Sequence, residues 1–420
     1  YLRGEKGVEV LLRDAHGRIQ GHYMDGQLDR PSIPGKNLTL GIDIDLQMLG
    51  ERLLQHKIGA IVAIEPSTGE ILCMVSSPSF DPHILIGRQR GKNHRLLQLD
   101  KRKPLLNRAI MGAYPPGSTF KTTQGLTFLQ EGIIHEETTL YPCSHGFSYG
   151  SLHVGCHGHA SPLSLVPAIA TSCNSYFCWG LFRMIGDRKY GSPQKALTVW
   201  KDYMVSQGFG YKLGTDLPGE IRGFIPNAST YDKVYRGSWN GLTIISIAIG
   251  QGEILATPLQ IANLGATIAN RGYFITPHVV KEIQDNELDS LYRTRRYTSI
   301  DRKYYEDIVE GMRAAVTGST GSATCRMVGT ILPGVEACGK TGTAQNRGKD
   351  HSVFMGFAPM DNPKIAIAVY VENGGFGATF GVPIGAMMMD QYLHGKLSPE
   401  NEKLAEDFSN RVIYYGDEER

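Results

Sequence analysis

Two uninterrupted apolar runs, Ile61-Val-Ala-Ile64 and Ile365-Ala-Ile-Ala-Val369, stand near opposite ends of this chain and constrain its fold more than any other feature. A strand with one wet face alternates apolar and polar residues, whereas a continuous apolar run is a strand covered on both faces. Each run belongs to a predicted hairpin. Residues 60–65 and 70–76 flank Pro66-Ser-Thr-Gly69, with proline and glycine in favoured turn positions, and residues 352–358 and 364–372 flank Met360-Asp-Asn-Pro363. The sequence between them reads mostly as helix, at 163–183, 193–207, 258–269 and 304–315, and Asp43-Ile-Asp45 leads into a further helix at 46–55. Early strands, a helical middle and late strands that rejoin the same sheet predict an α/β three-layer sandwich with a mainly antiparallel sheet.

The 420 residues suffice for one large domain with smaller attachments, and 41% hydrophobic with 20% charged residues excludes a disordered chain. A net charge of +2 without a long Lys/Arg block argues against a nucleic-acid partner. Residues 1–36 are polar and glycine-rich, with β-like runs at 8–13 and 18–23 around Asp14-Ala-His-Gly17, which reads as a hairpin in a linker. The main domain is expected over 37–397, followed by a charge-rich tail, 398–420, that forms a short helix or frays. The apolar stretch 242–249 falls far short of the roughly 18 residues that suggest a membrane span. The chain opens in mid-pattern with Tyr1, as a truncated protein would.

Chemistry concentrates in three motifs. Ser118-Thr-Phe-Lys121 follows Pro115-Pro-Gly117 at a predicted helix start, placing a nucleophile and a candidate base one turn apart on one face. Unpaired N–H groups and the helix dipole there favour developing negative charge. Alone, such a motif is more often an N-cap serine followed by a solvated lysine. Ser172-Cys173-Asn174 and Lys340-Thr341-Gly342-Thr343 follow in order, and the three together form the signature of penicillin-binding proteins and class A β-lactamases.

With Asn107-Arg-Ala109, Gly208-Phe-Gly210 to Asp216-Leu-Pro-Gly-Glu220, Gly250-Gln-Gly252, Ala256-Thr-Pro258 and Phe354-Met-Gly-Phe-Ala-Pro359, the chain resembles the class B penicillin-binding transpeptidases, and among them the penicillin-binding protein 2 type that serves cell elongation. The resemblance implies the penicillin-binding transpeptidase / serine β-lactamase-like fold, an α/β fold whose mainly antiparallel five-stranded sheet is flanked by helices. It implies a D,D-transpeptidase that cross-links stem peptides ending in D-Ala-D-Ala and is trapped by β-lactams. Ser118 is the implied nucleophile and Lys121 its base, with Ser172 as proton relay and Asn174 binding a substrate amide. Burial together with the charge of Lys340 would hold down the pKa of Lys121. Thr341, Gly342 and Thr343 would bind the substrate end, its carboxylate held by the two threonines, and the N–H groups of Ser118 and Thr343 would form the oxyanion hole. The family further implies a periplasmic position at the inner membrane, an N-terminal anchor, residues 1–36 as the end of a pedestal, and a RodA-type glycosyltransferase partner. Catalysis needs no cofactor. A serine β-lactamase or a β-lactam-sensing receptor domain shares the three motifs and remains the alternative.

The seven cysteines show no disulfide-framework spacing. Cys143, Cys156, His159 and Cys173 fall close together, and three thiolates with one imidazole would make a closed structural zinc site. The resemblance supports it, since the middle residue of the family's Ser-x-Asn motif is a ligand there. The short gap in Cys156-His-Gly-His159 leaves His157 as a rival to His159. Cys73, Cys178, Cys325 and Cys338 read as core residues.

Overall fold

The computed structural model describes residues 2–318 and 323–415. Its centre is a five-stranded antiparallel sheet of β1 (Gly59–Ile64), β2 (Ile71–Ser77), β3 (Cys338–Ala344), β4 (His351–Ala358) and β5 (Ile365–Val371), in the order β3-β4-β5-β1-β2. The early and late hairpins join where Ala366 faces Ile64 and Val371 faces Gly59. The helices that position the site, in chain order, are α1 (Ile44–Leu53), α2 (Arg90–Leu99), α3 (Lys121–Gln130), α4 (Leu165–Ala170), α5 (Asn174–Gly186), α6 (Pro258–Ala269), α7 (Lys303–Thr317), α8 (Gly381–His394) and α9 (Pro399–Asn410).

The two apolar runs are continuous because each face of the sheet has its own core. Ile61, Ala63, Ile365, Ile367 and Val369 point into one layer with Leu46, Leu53 and Met387 of α1 and α8. Ala60, Val62, Ile64, Ala366 and Ala368 point into the other with α6, all twelve of whose residues are buried. Adjacent side chains of a strand face opposite ways, so both must be apolar when both faces are covered. The alanines let α6 approach closely, and Gly265 of α6 lies against Met355 and Ala366.

Local rules set the element ends. Asp43 accepts from Leu46 N at 2.9 Å and caps α1. Thr257 and Gln260 form a reciprocal capping box at the start of α6, with Pro258 in its first turn. Of the segment 398–420, α9 lays Ala405 and Phe408 against the α1–α8 layer, and residues 416–420 lie outside the described residues. The N-terminal segment holds the short hairpin Leu11–Arg13 with Ile19–His22. Among the described residues, no helix is long and apolar enough to cross a membrane.

Candidate active site

Ser118 sits half-buried in a 3-10 turn, Gly117–Phe120, that runs directly into α3. Gly117 has φ +57°, and a Cβ there would come within 2.9 Å of the Thr343 carbonyl oxygen, so glycine is needed for both conformation and approach. The turn is braced from several sides. Gly117 N donates to Gly250 O at 3.0 Å, Tyr114 exchanges backbone bonds with Ala256, and the Tyr370 hydroxyl donates to Pro115 O at 3.2 Å. The Tyr114 hydroxyl donates to Glu372 at 2.7 Å, which also accepts from the buried Arg108 at 3.2 Å.

Lys121 opens α3 with no exposed surface. Its Nζ donates to Ser172 O and Asn174 Oδ1, both at 2.6 Å, and to Ser172 Oγ at 3.2 Å. Ser118 Oγ makes no hydrogen bond among the described residues, so the amine is turned toward Ser172 rather than the nucleophile. Such bonds commonly tighten only when substrate arrives. Lys340, equally buried, donates to Ser172 Oγ at 2.8 Å and Thr341 O at 3.0 Å. Two lysines therefore share one hydroxyl in a dry site.

Burial lowers the Lys121 pKa to about 8. Lys340 falls well below its ordinary value, first through burial and second through the charge of Lys121. Of the two causes expected, desolvation is the larger for both lysines, and the repulsion falls on Lys340. The two amines titrate as a pair that holds fewer than two protons more readily than isolated lysines would.

The predicted helix 163–183 is in fact two, α4 and α5, broken at Thr171-Ser-Cys173. Ser172 is left-handed, with φ +57°, while Ser172 N and Cys173 N close back onto Ile169 O and Ala168 O. That turn aims the Ser172 carbonyl and hydroxyl at the lysines. The apolar spacing continues through it, which hid the break from periodicity. Asn174, the first residue of α5, accepts from Lys121 and donates to Gly155 O at 2.7 Å, so both ends of its amide are engaged.

These groups line a cleft of about 620 Å³ with Ser118, Ser172, Asn174, Thr341 and Thr343 on its walls. Gly342 lies on the other face of β3, against Pro116 O and Thr119, where a Cβ would come within 3.0 Å of the carbonyl oxygen. It serves close approach, not the cleft wall. Sequence reasoning missed Gln251, Gln345, Thr324 and Phe376 on the same walls. Gln251 was legible only as the centre of Gly250-Gln-Gly252; its Nε2 donates to Thr343 O at 3.1 Å.

The ligand atoms of Cys143, Cys156, His159 and Cys173 all lie within 4.8 Å of one another. The donor set fits a metal. His159 Nδ1 is bonded to Ala160 O at 2.7 Å, leaving Nε2 free to face the sulfurs, 3.4 Å from Cys156. Asn174 N and Tyr176 N point at Cys156 Sγ and Cys173 Sγ, at 3.3 and 3.4 Å, as donors to thiolates do. His157 instead lines the cleft. Cys73, Cys178, Cys325 and Cys338 are buried core thiols.

The penicillin binding protein transpeptidase domain family model matches residues 59–390. The chain belongs to this family. Among its transpeptidase relatives, Peptidoglycan D,D-transpeptidase MrdA of Acinetobacter baumannii is 35% identical over 398 residues, covering 90% of this chain and 56% of that protein. The crystal structure of Pseudomonas aeruginosa PBP2 in complex with WCK 5153 superposes with TM-score 0.76 at 34% identity, covering 88% of this chain and 79% of that one. A chain of a peptidoglycan synthase complex, described for its coordination of polymerization and crosslinking, gives TM-score 0.77 at 31% identity over 95% of this chain and 69% of its own. This chain spans 56% to 64% of the MrdA relatives it matches. The fold is thus the penicillin-binding transpeptidase fold, with the five-stranded antiparallel sheet expected from the resemblance.

Proposed function

We propose that this chain is the transpeptidase part of a peptidoglycan D,D-transpeptidase of cell elongation. The observation that carries the reading is Ser118 at the wall of a cleft backed by the buried Lys121–Ser172–Lys340 hydrogen-bond chain. Ser118 Oγ attacks the penultimate D-Ala carbonyl while neutral Lys121 takes its proton. The N–H groups of Ser118 and Thr343 receive the oxyanion, Thr341 and Thr343 hold the terminal carboxylate, and Ser172 with Lys340 passes a proton to the departing D-Ala amine. An amine of a neighbouring stem then attacks the ester, forms the cross-link and returns the proton to Ser118. A β-lactam follows the first half, but its leaving amine stays tethered and the ester persists.

Zinc on Cys143, Cys156, His159 and Cys173 would be structural, because four protein ligands leave no open position. It would tie residues 143–159 to the backbone that aims Ser172 and Asn174. Residues 1–36 are read as the end of a pedestal and 37–397 as the transpeptidase domain, standing at the periplasmic face of the inner membrane beside a RodA-type glycosyltransferase. The neighbour solved in a peptidoglycan synthase complex supports that partner.

Treatment with penicillin followed by peptide mass mapping tests the chemistry. The adduct is expected on the peptide holding Ser118, lost in Ser118→Ala and retained for hours. An adduct elsewhere, or full labelling of the variant, overturns the assignment. Release within seconds would instead identify a β-lactamase.

A further inference from the structure

Seven of the 43 Lys and Arg residues and one of the 41 Asp and Glu residues fall within 86–103, a net +6 in a chain of net +2, so the remainder carries −4. Six of those cations, Arg88, Arg90, Lys92, Arg95, Lys101 and Lys103, are exposed and form no ion pair or side-chain hydrogen bond among the described residues, and the first four lie on or beside one helix. The segment's helix, α2, has ten residues and buries none of them. Its side-chain tether is Asn93 Nδ2 to Ile84 O at 2.7 Å, within the same excursion. A helix shorter than about 12 residues is marginal in water without a partner, and like charges along it make isolation worse. The arrangement fits a helix that meets an anion.

Its base points to which anion. The excursion leaves the sheet at Ser77, which stands in one row with Gly59, Val371, Ser352 and Thr343 across the sheet, so it emerges at the same end of the sheet as the cleft, from the opposite edge strand. It returns through Arg102 and Lys103, whose carbonyls accept from Arg108 Nη2 and Nη1 at 2.6 and 3.2 Å. Arg108 in turn pairs with Glu372, which holds Tyr114 of the turn carrying Ser118. A cationic arm is thus clamped to the nucleophile's own support.

We propose that residues 86–103 form a docking arm for the carboxylates of an uncross-linked peptidoglycan strand; this rests on the function proposed above. Every unreacted stem ends in a free carboxylate, so the strand is a repeating anion. Three of the six unpaired cations are arginines, whose guanidinium matches a carboxylate in two-point contact. Several weak contacts along one polymer add to an avidity that a single stem does not show. The arm would hold a strand at the same end of the sheet as the cleft and raise local substrate concentration, an effect that salt screens.

The test uses the protein with purified sacculi in a sedimentation assay at low and high salt. The Arg88→Gln/Arg90→Gln/Lys92→Gln/Arg95→Gln variant is compared with one carrying Lys195→Gln/Lys201→Gln/Lys233→Gln/Lys396→Gln, which removes equal charge elsewhere. The arm variant should bind at least roughly tenfold more weakly, the control should bind as wild type, and amidating the sacculus carboxylates should abolish the difference. Equal loss in both variants, no loss in either, or undiminished wild-type binding to amidated sacculi overturns the proposal; the last result would leave an acidic protein as the arm's partner. Penicillin labelling of the same samples reports separately on Ser118, so failure of the arm is distinguished from failure of the transpeptidase reading.

Discussion

Replacing Ser172 separates its hydroxyl chemistry from its backbone strain. Ser172→Ala removes the oxygen that accepts from Lys340 Nζ at 2.8 Å and Lys121 Nζ at 3.2 Å. Neither amine is orphaned. Lys340 keeps Thr341 O at 3.0 Å, and Lys121 keeps Asn174 Oδ1 and the Ser172 carbonyl, which survives the substitution, both at 2.6 Å. The stability loss should therefore be about 1.5–3 kcal/mol, the range for hydrogen bonds to charged groups, not the larger penalty of an unpaired buried charge. Ser172→Gly loses the same oxygen but occupies φ +57° without the roughly 1–2 kcal/mol a side chain costs there. After subtraction of glycine's greater unfolded-chain entropy, it should match or exceed the alanine variant by up to about 1 kcal/mol. Both should acylate some 10²–10⁴-fold more slowly if the hydroxyl relays protons. Urea unfolding gives the stabilities and stopped-flow labelling with fluorescent penicillin gives the rates. Near-normal acylation in both variants refutes the relay, and a glycine variant clearly less stable than the alanine one refutes the strain argument.

Lys121→Arg keeps a cation that cannot deprotonate usefully, so acylation should fall by about 10³ or more; a normal rate rejects the base role. In the wild type the Lys121 pKa is depressed from 10.5 to about 8, so the neutral amine accumulates, and the acylation rate should climb, as pH rises through about 8. The unfolded lysine holds its proton up to 10.5, so this group makes stability rise with pH between about 8 and 10.5 and adds no slope below that window; a pH-independent rate contradicts the assignment. Elemental analysis of protein purified without chelator should find close to one zinc per chain, and removing it should lower the melting temperature and slow acylation. His159→Ala should lose the metal and His157→Ala keep it; the opposite pattern reassigns the ligand, and zinc-free protein after metal-supplemented expression discards the site. Gln251→Leu removes the donor to Thr343 O and should slow acylation roughly five- to tenfold without weakening reversible penicillin binding, whereas a change confined to binding shows that Gln251 touches the ligand instead of holding β3.

Local chemistry was legible in the residues themselves. The two apolar runs demanded covered strands, the turns between them carried proline and glycine where turns need them, and both hairpins formed with the pairing expected. The three motifs were legible because their order and residue types together are rare by chance, and all three converge on one cleft. What the residues could not show was direction. Whether 163–183 was one helix or two depended on a left-handed Ser172, which no apolar spacing encodes, because the turn exists to point a carbonyl and a hydroxyl at lysines distant in sequence. Gly342 belonged to a motif, but strand alternation turned it toward Pro116 and away from the cleft. His159 was the expected ligand with His157 as its rival; the Ala160 carbonyl, by holding Nδ1 of His159, turns that ring toward the sulfurs. The order of strengths in the lysine pair likewise came from burial, a property of the whole packed domain. Sequence determines which groups and periodicities exist, because those are covalent and local. Packing decides which groups meet, which lose water and which face a side chain takes, because these depend on segments hundreds of residues apart arriving at the same sheet edge.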